Sequence, residues 1–208
     1  MKRSLHLLVL LCSFSVQASI KVAVASNFKT TLIEIAALYE KQTGRKILIS
    51  SASTGILYHQ IQQGVAFWAP QHPEPVNMDT LQNFKGRVAM ANPNLAPYGL
   101  AAEQALKNLN LLDQFSYVQG ANISQTYQFV DSGNIKAGLV AYSLLLEHQA
   151  DHFFLIPTTY HQPVLQQGVL LSGSIQALEV TNFMDYLTST AIQRLIRSKG
   201  YLTIKYVN

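Results

Sequence analysis

Asn92–Ala102 reads NPNLAPYGLAA, and Gly120–Gly133 reads GANISQTYQFVDSG. Each is a short polar turn that opens a helix. In the first, Asn92-Pro93 and Pro97 precede an apolar run from Leu100 to Leu106. In the second, Asn122 and Ser124 precede Tyr127, Phe129 and Val130. Proline at a helix start loses no needed hydrogen bond, and Ser or Asn caps free N–H groups. Two such starts aimed at one point form an anion site, because free N–H groups and the positive dipole end both favour negative charge.

Working outward, Ile20–Ala25 alternates as a strand, and Lys29–Gln42 carries Leu32, Ile35, Ala36 and Tyr39 on one helical face before Gly44. Lys46–Ser50 predicts a second strand, and Ile56–Gln63 a second helix ending at Gly64. This strand–helix–strand–helix start predicts an α/β fold with a parallel sheet. Val65–Asn83 breaks the pattern, with Pro70, Pro73, Pro75 and a lone Trp68. Strands are then expected at 87–91, 115–118, 137–142 and 153–156, helices at 98–108 and 124–130, and a helical end that stops at Gly200.

Ligands in open α/β sheets sit where strands run into helices. Four such loops are polar and neutral: Ala25-Ser26-Asn27, Ala52-Ser53-Thr54-Gly55, Ala96-Pro97-Tyr98-Gly99 and Asn122-Ile123-Ser124. Each alone is an ordinary cap or turn. Four of one kind in one chain point to an oxyanion site.

The chain has 208 residues, enough for one domain or two small lobes. Lys2 and Arg3 followed by the apolar run Leu5–Phe14 and Val16-Gln17-Ala18 predict a signal peptide over 1–18 with cleavage after Ala18. The run is too short for a comfortable span, and no later segment reads as transmembrane. The single cysteine, Cys12, lies within the signal, so the mature chain is expected to use neither disulfide nor thiol chemistry. A periplasmic location follows. The formal charge of +4 loses Lys2 and Arg3 with the signal, leaving 13 basic against 11 acidic residues, or +2. The basic residues are scattered, which argues against a nucleic-acid partner.

His148 and His152 are four apart beside Glu147, a spacing that can present two metal ligands on one helical face. No third ligand is evident, and surface histidines at a helix end are the plainer reading. Neither a GxSxG elbow nor a P-loop is present, so no enzyme is expected. The aromatic set of Tyr58, Phe67, Trp68, Phe153 and Phe154 reads as core packing or as a recognition patch.

SNFKTTL (26–32), SASTGILYHQI (51–61), ANPNLAPYGLAAEQAL (91–106), GANISQTYQFVDSGN (120–134) and IQRLIRSKGYL (192–202) resemble the periplasmic molybdate-binding proteins of ABC transporters. The resemblance covers most of the mature chain. It implies a type II periplasmic binding fold of two lobes, with a tetrahedral dianion held in the cleft by neutral donors. Carried over by position, the ligand-binding residues are Ser26 and Asn27, the Thr54 hydroxyl where the family usually has Ser, and the backbone N–H groups of Tyr98 and Ile123. Tyr142 lies near a family cleft position, but the AGLVAYS register is offset, so it reads as a buried aromatic at a strand end. The resemblance also implies molybdate or tungstate as ligand, no cofactor, an inner-membrane ABC permease as partner, and a monomer.

The chain departs from the family after Gly64, where it runs directly into VAFWAP (65–70). A few dozen family residues are missing, a strand and a helix of the first lobe among them. The expected division is 19–66 plus 163–208 for a truncated first lobe and 67–162 for the second. Two functions are therefore expected in competition: a molybdate receptor, or a degenerate remnant with weak or no oxyanion binding that is inert or serves as a protein-interaction module.

Overall fold

The computed structural model describes residues 19–51, 61–166 and 177–203. The signal segment 1–18, the Thr54 loop, most of the helix expected at 56–63 and the segment 167–176 lie outside the described residues.

Strand β1 (Ile20–Val24) runs through a 3-10 turn (Ser26–Phe28) into helix α1 (Lys29–Thr43). The helix buries Leu32, Ile35, Ala36 and Tyr39, the spacing of a single face. Gly44 ends it in a left-handed conformation, φ 71°, with its N–H on the Glu40 carbonyl. Strand β2 (Ile47–Ser51) then lies parallel to β1, with Ile20 opposite Ile47.

The segment at Ile61–Gln63 is a strand, β3, not the end of a helix. Helix-like spacing over so few residues carried little weight against three-stranded pairing that comes from far along the chain. Strand β4 (Val65–Trp68) and helix α2 (Met78–Asn83) follow in a stretch whose sequence shows no period. All four residues of β4 are buried, so no apolar–polar alternation marks it. Helix α2 starts on a capping box in which Asn77 Oδ1 accepts from Thr80 N–H and Thr80 Oγ1 accepts from Asn77 N–H.

Strand β5 (Arg87–Ala91), helix α3 (Pro97–Asn108), strand β6 (Ser116–Gly120), helix α4 (Ile123–Asp131) and strand β7 (Ala137–Ala141) alternate as expected. Helix α5 (Tyr142–Glu147) begins at once, so Tyr142 opens a helix and does not close a strand, and it is half-buried. Strands β8 (Phe153–Leu155) and β9 (Val164–Gln166), helices α6 (Ala177–Thr188) and α7 (Thr190–Ser198), and strand β10 (Tyr201–Thr203) complete the described chain.

The strands fall into three sheets. A five-stranded sheet has the order β6-β5-β7-β4-β8, with β5 parallel to both β6 and β7 and with β4 antiparallel to β7 and β8. The pair β1-β2 stands apart, and β3 lies antiparallel between β10 and β9. Two hydrophobic cores result. One joins β1, α1 and β2 to Phe183, Ile192, Ile196 and Tyr201 from the C-terminal elements. The other is built from Val65 to Val164 around the five-stranded sheet. We call these the first and second lobes.

Candidate functional site

Three parallel strands, β5, β6 and β7, end on one edge of the second-lobe sheet and feed helices α3, α4 and α5. Helix starts therefore collect on that edge. At α3, Pro97 occupies the first helical position and Ala96 offers no side-chain cap. Gly99 and Leu100 both donate to the Ala96 carbonyl, whereas Tyr98 N–H finds no acceptor among the described residues. A Cβ on Gly99 would collide with the Ala91 carbonyl oxygen, so only glycine lets α3 start this close to the end of β5.

At α4, Asn122 Oδ1 accepts from Gln125 N–H at 2.9 Å, and Gln125 Oε1 accepts from Ala121 N–H at 2.7 Å. The cap serves the third helical residue. The N–H groups of Ile123 and Ser124, the first two, have no acceptor among the described residues. The two loops are tied together, since Asn92 N–H donates to the Gly120 carbonyl at 2.8 Å.

The first lobe brings its own turn to this place. Phe28 N–H closes the Ser26–Phe28 turn on the Ala25 carbonyl at 3.0 Å, and the turn packs against α4. Asn27 is buried and Ser26 half-buried. The turn that holds Ser26 and Asn27 thus packs against the helix that Ile123 opens, and the Tyr98 loop is joined to the Ile123 loop by backbone hydrogen bonding. Thr54 lies outside the described residues.

A cluster of hydroxyls lies at the same interface, and the sequence did not mark it. Tyr201 Oη donates to the Asn27 carbonyl at 2.6 Å. Burial pushes the Tyr201 phenol up to about 12, and neighbouring Ser143 and Thr31 pull against that rise. Burial likewise raises the Tyr98 phenol well above its ordinary value, the Tyr201 phenol adds to the rise, and Ser143 opposes it. Both phenols are neutral donors at any physiological pH. Neither Tyr98 Oη nor Ser143 Oγ has a hydrogen-bond partner among the described residues.

The histidine pair does not form a ligand face. Helix α5 ends at Glu147, His148 stacks on Tyr127 with ring centroids 4.8 Å apart, and His152 sits in a left-handed turn at φ 52°. The described residues hold no group of three or more His, Cys, Asp or Glu that could bind a metal ion.

Comparison with known proteins decides the family. The sequence profile described as "Bacterial extracellular solute-binding protein" matches residues 20–67 and 63–202. The chain belongs to that family. Among relatives of this solute-binding protein, the molybdate-binding protein ModA of Azotobacter vinelandii is 29% identical over 226 positions, covering 88% of this chain and 90% of that one. ModA of Rhodobacter capsulatus is 27% identical, covering 87% of each. The solved A. vinelandii periplasmic molybdate-binding protein superposes with a TM-score of 0.79 at 24% identity, over 90% of this chain and all of its own. The substrate-binding domain of a molybdenum transporter from Clostridium difficile follows at 0.66 and 16%, covering 90% of this chain and 99% of its own.

The shortening of this solute-binding protein is visible in the same comparisons. An alignment of 226 positions takes in 88% of the 208 residues, about 183, so about 43 positions have no counterpart here. The profile matches in two stretches that meet at 63–67, directly around Gly64.

Proposed function

We propose that this solute-binding protein captures molybdate, or the similar tungstate, in the cleft between its lobes and delivers it to an ABC permease. The observation that carries the reading is the packing of the Ser26–Phe28 turn against α4, whose first two N–H groups have no acceptor among the described residues, together with the uncapped start of α3 beyond the Asn92–Gly120 hydrogen bond. In this reading the backbone N–H groups of Tyr98 and Ile123 and the side chains of Ser26 and Asn27 hold the anion, with the Thr54 hydroxyl as a further donor. The mechanism needs no buried cation. Helix dipoles and N–H groups stabilise a dianion, while the absence of a full counter-charge lets it leave again. The likeness to two molybdate-binding proteins supports this ligand class, and relatives that are binding proteins support a carrier over an enzyme.

The same proposal includes a cleaved signal peptide over 1–18, a periplasmic location, a monomeric state, no cofactor, and the lobe division 19–66 plus 163–208 against 67–162. The separate hydrophobic cores support two lobes, with Val65, Ala66 and Val164 packing in the second-lobe core and so on the other side of the proposed boundaries. Nothing in the fold or the relatives favours a degenerate remnant. Calorimetry of the purified mature chain with molybdate, tungstate and sulfate tests the reading. Saturable binding of the first two is expected, and heat indistinguishable from buffer dilution for all three would end it.

A further inference from the structure

Two described stretches lead from one lobe towards the other, and they run side by side. Strand β3 passes into β4 at Gly64, and β8 passes to β9 through residues 156–163. Strands β3 and β9 pair antiparallel, with Gln63 opposite Val164. Their sheet bridges the two cores, since Val164 of β9 belongs to the second and Tyr201 of β10 to the first. Both stretches are fastened to the second lobe. Tyr142 N–H, at the start of α5, donates to the Gly64 carbonyl at 2.9 Å. In the other stretch, Asn108 Nδ2 donates to the Tyr160 carbonyl at 2.8 Å, and Gln162 N–H donates to Gln104 Oε1 at 2.9 Å. His161, between those two bonds, is buried.

Gln104 and Asn108 are four residues apart and so share one face of α3. Asn108 and Gln104 bond main-chain groups 52 and 58 residues away, not their own helix. Asn108 and Gln162 are exposed, so water could serve these polar groups, and the two bonds fix position rather than satisfy burial. The helix that makes them is the one whose start offers Tyr98 N–H in the proposed binding mode, about 9 and 15 Å back along its axis. We propose that Gln104 and Asn108 are a hinge clamp: they pin residues 160–162 to α3, so that the bridging sheet travels with the anion-binding second lobe and the lobes part on the first-lobe side of β9. Neither side chain touches the ligand, so both are positioning residues. An anion held between two lobes leaves when they part. With the crossing pinned, the parted state has fewer arrangements, and closing loses less conformational entropy. Cutting the clamp therefore favours the parted state. The part of the proposal that concerns bound anion rests on the oxyanion reading of the cleft; the hinge part does not.

Two measurements on the full mature chain separate these parts. The single cysteine, Cys12, lies in the expected signal, so spin labels can be placed cleanly at Lys41→Cys in α1 and Lys85→Cys ahead of β5, both exposed positions. Pulsed electron–electron double resonance without oxyanion then reads the spread of interlobe distances. The spread is expected to be about twofold wider in Gln104→Leu/Asn108→Ala than with the clamp intact. Gln104→Glu keeps the acceptor and is expected to hold the wild-type spread, whereas Asn108→Asp loses the donor and is expected to widen it. Stopped-flow fluorescence of the single tryptophan reads molybdate release. Trp68 is buried and stacked on Tyr127 of α4, with centroids 4.8 Å apart, so it reports on the helix that starts at the site. Release is expected to be about fivefold faster in the double variant, with association changed by about twofold or less. An unchanged spread in the double variant overturns the clamp, whatever happens to binding. A spread in Gln104→Glu as wide as in Gln104→Leu overturns the acceptor role of Gln104. Wild-type release from a widened double variant overturns the part that concerns the anion. A wild type that binds no molybdate while the double variant still widens would sink the oxyanion reading and leave the clamp standing. Should the double variant not fold, Gln104→Glu and Asn108→Asp carry the test, and equal spread in those two overturns the clamp.

Discussion

The described parts of the two lobes differ in their sheets and cores. Among the described residues, the second-lobe core gathers 31 buried apolar residues around a five-stranded sheet, and the first-lobe core 12. Among the described residues, β1 pairs with β2 alone, and β3 lies in a separate sheet between β10 and β9. In the proposed binding mode the second lobe offers the anion main-chain donors at the starts of α3 and α4. In that mode the first offers a short turn that Tyr201, from the far end of the chain, contacts at Asn27 and Phe28. About 43 positions of the A. vinelandii relative have no counterpart here, and the two stretches of the family profile meet at 63–67, between the first-lobe elements β1, α1 and β2 and the second-lobe strand β4.

The largest expected consequence is in hydrogen exchange. Local opening costs less where fewer apolar contacts must be broken. Amides of β4, β5 and β7 should exchange slowest, and those of β1 and β2 faster by a factor on the order of a hundred, about 3 kcal/mol. Equal protection in both lobes would erase the comparison.

Core truncation sharpens the same contrast. Leu139 is buried at the centre of the five-stranded sheet, between β5 and β4. Leu139→Ala should cost about 3–5 kcal/mol and lower the melting of the whole chain. Ile35→Ala in α1, equally buried, should cost about 2–4 kcal/mol and raise exchange mainly in the first lobe. If Ile35→Ala instead loosened the second-lobe sheet as much as its own, the lobes would be one cooperative unit.

Alkaline pH probes the interface between them. The Tyr201 phenol is raised by burial from 10.0 to about 12, and Tyr98 is raised as well. A raised phenol means that the unfolded chain gives up the proton first. The associated stability is complete below pH 10 and is lost as pH rises from 10 towards 12, about 2–3 kcal/mol for Tyr201. Melting temperature should fall across that window, and the fall should be shallower in Tyr201→Phe. An identical slope in the variant would remove Tyr201 from the account.

How far these features were legible in the sequence follows from how local their causes are. Helices α1, α3 and α4 announce themselves, because the stripe Leu32-Ile35-Ala36-Tyr39, the Pro97 start and the Asn122 cap lie within a few residues of what they cause. Strand β4 did not, since burial of all four residues removes the alternation that marks a half-exposed strand. Strand β3 was misread as helical because its identity comes from β9 and β10, more than 90 residues away at the nearest. At the site, the loops of Ser26, Tyr98 and Ile123 were readable as helix starts. Tyr201 and Ser143 were not, because a phenol after a helix-stopping glycine carries no local signal of a carbonyl 174 residues upstream.

Binding is where the comparison is finest, because the proposed mode draws different kinds of donor from the two lobes. Ile123 stands at the first position of α4, where proline is tolerated, and Asn122 before it is already extended, at φ −151° and ψ 172°, as a residue before proline must be. Ile123→Pro therefore removes one N–H while leaving the helix start in place. The expected loss of molybdate affinity is about 1–3 kcal/mol, the cost of leaving a buried acceptor short of a donor. Ser26→Ala tests the first lobe in the same way. Its loss should lie at the low end, about 1 kcal/mol, since the half-buried Ser26 position lets water replace part of the hydroxyl. Lys29 supplies the zero of the scale. It is the nearest cation in the chain to that turn and is exposed, so its field at the cleft is screened. Lys29→Ala should change affinity by about 0.5 kcal/mol or less. Calorimetry in 0.15 M salt that ranked Lys29→Ala above both donor variants would mean that the anion is held by charge, and the division of labour between main-chain and side-chain donors would fall with it.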